Sequence, residues 1–221
     1  MNEQVTDLAD RILFVDGEAI VLDKPAGLPV DAPRRGGDSI FARLDELKLG
    51  FHRPPVPMHR LDRDTSGCLL LGRNPKSVKR FALAFEQGKV EKTYLAVLEG
   101  ELEGAEGEVD LRLRKVSSAQ EGWRMVGHHR GQEARTRWRR IAVCDGLTLV
   151  EFRPLTGRTH QLRVHAREGL GLPILGDPVY GKGGGPLMLH ALRLVVPREP
   201  KAAIDVTAPL PPHFGGWVDE A

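Results

Sequence analysis

A chain of 221 residues and 24.4 kDa can bury a full hydrophobic core, either as one large domain or as two intimate halves. Its 32 basic and 30 acidic side chains leave a net charge of only +2, so bulk charge does not announce nucleic acid, and no apolar run approaches membrane-spanning length. Segment 1–10 is polar and acidic without an apolar signal core, so a cytoplasmic protein with no membrane association is expected.

Ile12 to Val15 and Ala19 to Asp23 are apolar runs around Asp16-Gly17, a turn signal, and together predict a hairpin. Lys24-Pro25-Ala26-Gly27 then breaks the strand and opens a loop through Pro33. Asp38 or Ser39 is placed to cap a short helix with Ile40, Phe41, Leu44 and Leu47 on one stripe. His52 to Gly67 reads as a loop rich in Pro, Arg and Asp, leading into an apolar strand from Cys68 to Leu71. Asn74-Pro75 has the form of an N-cap and first helical residue, with Val78, Phe81, Ala82 and Phe85 as the apolar face and Gly88 as the stop. Lys92 to Leu98 alternates as a strand does, with Tyr94, Ala96 and Leu98 on one side.

Further strands are predicted at Val109 to Leu113, Ala134 to Val143 and Leu147 to Arg153, the last two joined by Asp145-Gly146. Thr159 to Arg167 reads as a short helix closed by Gly169, and Leu187 to Val196 and Ile204 to Ala208 are late strands. The sum is an α+β chain with a mixed, largely antiparallel sheet and short flanking helices. No internal repeat or separating linker is visible, so residues 1–221 are expected to form a single domain.

Cys68 and Cys144 are far apart, and Cys68 sits in the run Cys68-Leu69-Leu70-Leu71, where a buried free thiol is expected rather than a zinc ligand or disulfide partner. Charge is uneven along the chain. From Glu99 to Asp110 every charge is negative, and from Arg112 to Arg140 the balance reverses, which fits either a focused field or two solvated surfaces.

Two segments carry chemistry. His59-Arg60-Leu61-Asp62-Arg63-Asp64-Thr65-Ser66-Gly67 sets two carboxylates among arginines in a non-helical loop, an arrangement suited to a nucleophile or base or to a surface ion-pair cluster. Thr156-Gly157-Arg158-Thr159-His160-Gln161-Leu162-Arg163-Val164-His165 brings arginines and histidines to a predicted helix start, where anions bind or a basic helix meets water. On that helix Arg163 and Arg167 are expected to share a face.

His59 to Asp62 with Thr65-Ser66-Gly67 resembles the signature loop of the RluA-type pseudouridine synthases. Lys24 to Gly27, Lys92-Thr93-Tyr94-Leu95-Ala96, Gly157 to His165, Gly176-Asp177-Pro178-Val179-Tyr180-Gly181 and Leu189-His190-Ala191 resemble further motifs of that family in the same order. The resemblance implies a sheet in two halves with a catalytic cleft between them, and the isomerisation of uridine in RNA without cofactor or metal. It implies that Asp62 is the catalytic carboxylate, that Tyr94 stacks on the target base, and that Arg163 pairs with Asp62. It further implies RNA contacts from Arg60, an apolar pocket wall that includes Leu189, and substrate contacts from Arg158 and His160. The expected partner is transfer RNA, large-subunit ribosomal RNA or both, the expected state a monomer.

An extruded uridine must be compensated by phosphate contacts, for which Lys76, Lys79, Arg80 and the spacing-two set Arg135, Arg137 and Arg139 are candidates. His59, His160, His165 and His190 read as structural hydrogen-bonders around the cleft. With the first motif this close to the start of the sequence, no separate N-terminal RNA-binding domain is expected, and selection is expected from the catalytic domain and insertions such as Leu113 to Glu133. Three rivals remain: a phosphotransferase, argued against by the Leu between Arg60 and Asp62; a glycosidase using Asp62 with Asp64; and a catalytically inactive RNA-binding module of the same fold.

Overall fold

The computed structural model describes residues 7–33, 36–118 and 122–220, with side chains described through residue 217. The first six residues of the polar N-terminal segment, and the tip of the predicted insertion at 119–121, lie outside the described residues. The chain divides into two compact units, one of Met1–Glu91 with Ala191–Pro209 and one of Lys92–His190 with Leu210–Ala221.

In the first unit, β1 (Ile12–Val15) and β2 (Ala19–Lys24) form the expected antiparallel hairpin. Asp16 makes its turn by accepting the amides of Glu18 and Ala19 at 2.8 and 2.9 Å. The helix predicted after Asp38 is a 3₁₀ segment, Phe41–Leu47, which buries Leu44 and Leu47 beside the preceding Ile40 but leaves Phe41 62% exposed. Positions 40, 44 and 47 point to one side, and Phe41 falls at the edge of that stripe. β3 (Val56–Pro57) is a short edge piece on β4 (Ser66–Gly72), which is buried along its whole length. β2 pairs with β4 so that Lys24 faces Gly67, which brings the Lys24-Pro25 loop beside the Asp62 loop. α1 (Pro75–Glu86) starts at Asn74, whose side chain accepts the Ser77 amide at 2.9 Å while Ser77 Oγ accepts from the Asn74 amide. Its inward face is Ser77, Phe81 and Ala84, with exposed Ala82 replaced by Ala84 because the i, i+4, i+7 line from Ser77 runs through it.

In the second unit, β5 (Glu91–Leu98), β6 (Glu106–Asp110), β9 (Arg135–Cys144) and β10 (Leu147–Pro154) pair antiparallel in the order β5-β10-β9-β6. Between β6 and β9 the chain forms a separate hairpin, β7 (Leu113–Ser118) and β8 (Gly122–Gly127). α2 is only Gln161–Val164 and widens into a π turn, His165–Gly169. The widened turn breaks the expected pairing of Arg163 with Arg167 on one face, since Arg163 is buried and Arg167 exposed. β11 (Leu189–Arg198) starts in this unit and returns the chain to the first, where β12 (Lys201–Thr207) pairs with it. The first unit's core gathers Val21, Cys68, Leu70, Phe81, Leu194 and Ile204, among others. The fold is therefore α+β with a largely antiparallel sheet and few helices.

Candidate active site

The loop that carries Asp62 is held by a buried ammonium. Lys24 is 0% exposed, and its Nζ donates to the carbonyls of Pro25 and Leu28 at 2.8 Å and of Arg63 at 3.0 Å. Three acceptors match the three donors of an ammonium. The Gly27 amide adds a bond to the same Arg63 carbonyl, and the Thr65 amide reaches back to the Asp62 carbonyl at 3.2 Å, closing a turn over residues 62–65. Burial pushes the Lys24 ammonium down to about 7, against the attraction of the Asp64, Asp62 and Asp23 carboxylates. The turn ends at Gly67, whose φ of +103° suits glycine and whose missing Cβ would lie 2.3 Å from the Ala191 carbonyl oxygen. The second residue of β4 can approach Ala191 this closely only because it has no side chain.

Of the loop's two carboxylates, Asp64 is clamped by its neighbour, with Arg63 Nε and Nη2 donating to its two oxygens at 2.9 and 3.1 Å. Asp62 is half-buried. Arg60 is exposed and paired with Asp31 at 2.8 Å. His59 accepts the Leu70 amide at 3.0 Å through Nε2 and stacks on Phe85. Cys68 is a free buried thiol, pushed by burial up to about 12.

In the second unit, Arg163 and Asp177 form a buried bidentate pair, Nε to Oδ2 at 2.7 Å and Nη2 to Oδ1 at 2.8 Å. Asp177 Oδ1 also accepts the amides of Val179 and Tyr180. Burial opposes the charge on Asp177, but the hydrogen bonds and charge of Arg163 and the two amides outweigh it and hold the carboxyl below its ordinary range. The aspartate follows Gly176, where a Cβ would meet the Pro186 carbonyl oxygen at 2.0 Å. The Arg163 guanidinium lies 5.2 Å from the Tyr180 ring, and the Tyr180 hydroxyl is 2.9 Å from His160 Nδ1. His160 is left-handed, at φ 53°, where the sequence predicts ordinary helix.

Gln161 braces this segment, accepting the Arg158 amide at 3.0 Å and donating to Thr136 Oγ1 at 3.0 Å. Arg158 is exposed, with Nε on the Glu133 carbonyl at 3.0 Å. Tyr94 is half-buried on β5 opposite Phe152, and Leu189 is buried at the start of β11. Thus His160, Arg163, Asp177 and Tyr180 form one cluster in the second unit, with Tyr94, Arg158 and Leu189 elsewhere in that unit, while Asp62 and Arg60 belong to the first. His165 is pinned between Thr136 Oγ1 at 2.9 Å and the Leu111 carbonyl at 3.1 Å, a structural role.

The arginine face exists, but it is not bare. β6 lies beside β9 with Glu106, Glu108 and Asp110 opposite Arg139, Arg137 and Arg135. Glu108 pairs with Arg137 at 3.3 Å and approaches Arg135 at 3.8 Å, so the acidic and basic runs of the sequence offset each other across two strands, and Glu151 of β10 adds a pair with Arg139 at 3.4 Å. Arg80, a phosphate candidate, is paired with Glu18 at 2.5 Å. Among the described residues, no group of three or more His, Cys, Asp or Glu is gathered to hold a metal ion, and no helix is long and apolar enough to cross a membrane.

The sequence alone gives no role to Lys24, Asp177, Tyr180 or Lys92, the last an ammonium that burial pushes down to about 8 while it donates to the Thr156 carbonyl at 3.2 Å. Each stood inside a recognised motif, which was the available signal.

A family model described as RNA pseudouridylate synthase matches residues 18–168. The chain belongs to this family. An uncharacterized RNA pseudouridine synthase of Zymomonas mobilis subsp. mobilis is 54% identical over 211 residues, covering 94% of this chain and 96% of that protein. A ribosomal large subunit pseudouridine synthase C of Rickettsia bellii is 33% identical, covering 93% and 70%. The solved structure of human RNA pseudouridylate synthase domain containing 4 superposes with a TM-score of 0.80 at 27% identity, over 96% of this chain and 93% of that one. Relatives named ribosomal large subunit pseudouridine synthase C and D place it among the RluA-type enzymes. This synthase is therefore an isomerase acting on RNA, and its fold is the pseudouridine synthase fold.

Proposed function

We propose that this synthase acts as one catalytic domain on specific uridines of structured RNA, in large-subunit ribosomal RNA, transfer RNA or both, with Asp62 as the catalytic carboxylate. The observation that carries the assignment is the division of labour in the loop: Asp64 is clamped by Arg63, while the Lys24 brace fixes the backbone turn that begins at Asp62. The relatives named as ribosomal large subunit pseudouridine synthases favour ribosomal RNA.

In the reaction the bond from C1′ to uracil N1 breaks, the base turns, and C1′ joins C5. The C5 proton leaves and N1 takes one up, so atoms balance without cofactor or metal. A carboxylate attacks sugar or base, or takes a sugar proton. In this reading Asp62 does so, paired with Arg163, whose orientation Asp177 sets. Tyr94 stacks on the detached base and leaves its in-plane angle free, as rotation requires. Arg60, Arg158 and His160 contact the RNA, and Leu189 lines the pocket. The protein is expected to be a cytoplasmic monomer.

Tritium release from C5-labelled uridine in RNA tests this. Asp62→Asn should release none while still binding RNA, and Asp64→Asn should turn over. Equal loss in both variants would favour a two-carboxylate mechanism instead. Mapping pseudouridines in total RNA with and without the gene identifies the target.

A further inference from the structure

The β7–β8 hairpin carries a feature that the reaction leaves unused. Trp123 is 47% exposed on β8, and its ring lies 5.1 Å from that of His160 with a tilt of 31°. Lys115 on β7 shares that face of the hairpin and holds its ammonium 4.7 Å from the indole centroid. At the base of the same face Leu113 and Met125 are buried against Val164 of α2, so the hairpin is anchored where Trp123 leaves it. The described residues of the two strands carry Arg114, Lys115 and Arg124 and no carboxylate.

A second line of bonds ties the ring to the active-site cluster. The Met125 amide donates to the Tyr180 hydroxyl at 3.0 Å, and that hydroxyl, by the logic of the network, donates to His160 Nδ1. Tyr180 in turn lies against Arg163. His160 takes a left-handed backbone, uncommon for a residue with a side chain, and that conformation turns its ring toward both Tyr180 and Trp123.

We propose that Trp123 and His160 form a shelf on which an unpaired RNA nucleotide near the target uridine stacks, with Lys115 taking its phosphate. The inference rests on the reading of this unit as the one that carries Tyr94 and Arg163. An aromatic face accepts any base, and Lys115, on the same face of the hairpin as Trp123, supplies the charge complementarity for its phosphate, while Arg114 and Arg124 lie on the opposite face. In the free protein the Lys115 ammonium occupies the indole face. An arriving base takes that place and the flexible ammonium moves to its phosphate.

Titration with single-stranded decauridylate, read by anisotropy and by indole fluorescence, tests the shelf. The wild type should bind with quenching of emission. Trp123→Ala should weaken binding roughly tenfold. Trp123→Phe should bind within about threefold of wild type but lose the quench, since phenylalanine still stacks. Lys115→Ala should make the dependence of log affinity on log salt shallower by about 0.7. Wild-type affinity in Trp123→Ala, an undiminished quench in Trp123→Phe, or no binding of decauridylate by the wild type would each overturn the shelf. Trp123→Phe keeps the test sharp if the alanine variant loosens the hairpin. Tritium release by Asp62→Asn is a separate readout, so failure of the shelf and failure of the Asp62 assignment are told apart.

Discussion

Lys24 and Arg163 are both buried cations, and the two units hold them by opposite devices. Lys24 is solvated by three backbone carbonyls, with carboxylates near but none bonded to it among the contacts described above. Arg163 is met by the full charge of Asp177 in a two-point fork. The carbonyl cage leaves burial as the winning influence, and the proton is held less tightly than in water. The fork makes the pair's charge outweigh burial. A caged lysine thus fixes loop geometry, while a forked arginine fixes the direction of a guanidinium.

The strongest way to break this contrast is Asp177→Ala. It strands a guanidinium that is 6% exposed, and breaking a buried pair costs about 3–5 kcal/mol. Urea unfolding at pH 7 measures it. The carboxyl sits below its unfolded value near 3.8, so its contribution is present above that pH and is lost as pH falls through the folded value. The gap between wild type and variant should therefore close in acid.

Lys24→Met should have a smaller effect, about 2 kcal/mol at pH 6, from carbonyls left without donors but relieved of a buried charge. Its pH response runs the other way. The folded ammonium titrates at about 7 and the unfolded one at 10.5, so between those values the unfolded chain binds more protons and wild-type stability rises with pH. The methionine variant should lack that increment, and unfolding midpoints at pH 6 and 9.5 compare the two. Identical pH responses would remove the distinction between cage and fork. Smallest of all is Glu108→Ala on the strand face, where the partners Arg135 and Arg137 are 53% and 66% exposed. A change within about 0.5 kcal/mol by thermal unfolding is expected for such a surface pair.

Local signals were legible where one side chain decides one structure. Asp16-Gly17, Asn74-Pro75 and Asp145-Gly146 each mark the turn or cap they form, because backbone conformation there depends on neighbouring residues alone. The motif set also announced the family. What stayed hidden was partnership at a distance. Nothing in the spacing tells that Asp177 meets Arg163 fourteen residues earlier, or that Lys24 reaches Arg63 across thirty-nine. The β7–β8 hairpin falls within the insertion Leu113 to Glu133, where the sequence predicts no hairpin because its strands carry few alternating apolar residues. The acidic and basic runs gave no hint that an antiparallel register would set them face to face.

The two thiols differ in a way that has practical use. Cys68 lies in the first unit's core and stays protonated to about pH 12, whereas Cys144 is exposed at the hairpin end of β9. A maleimide dye offered near neutrality will find one reactive sulfur per molecule. The natural chain thus already carries a single attachment point on its second unit, from which fluorescence transfer to labelled RNA can be followed without engineering a cysteine.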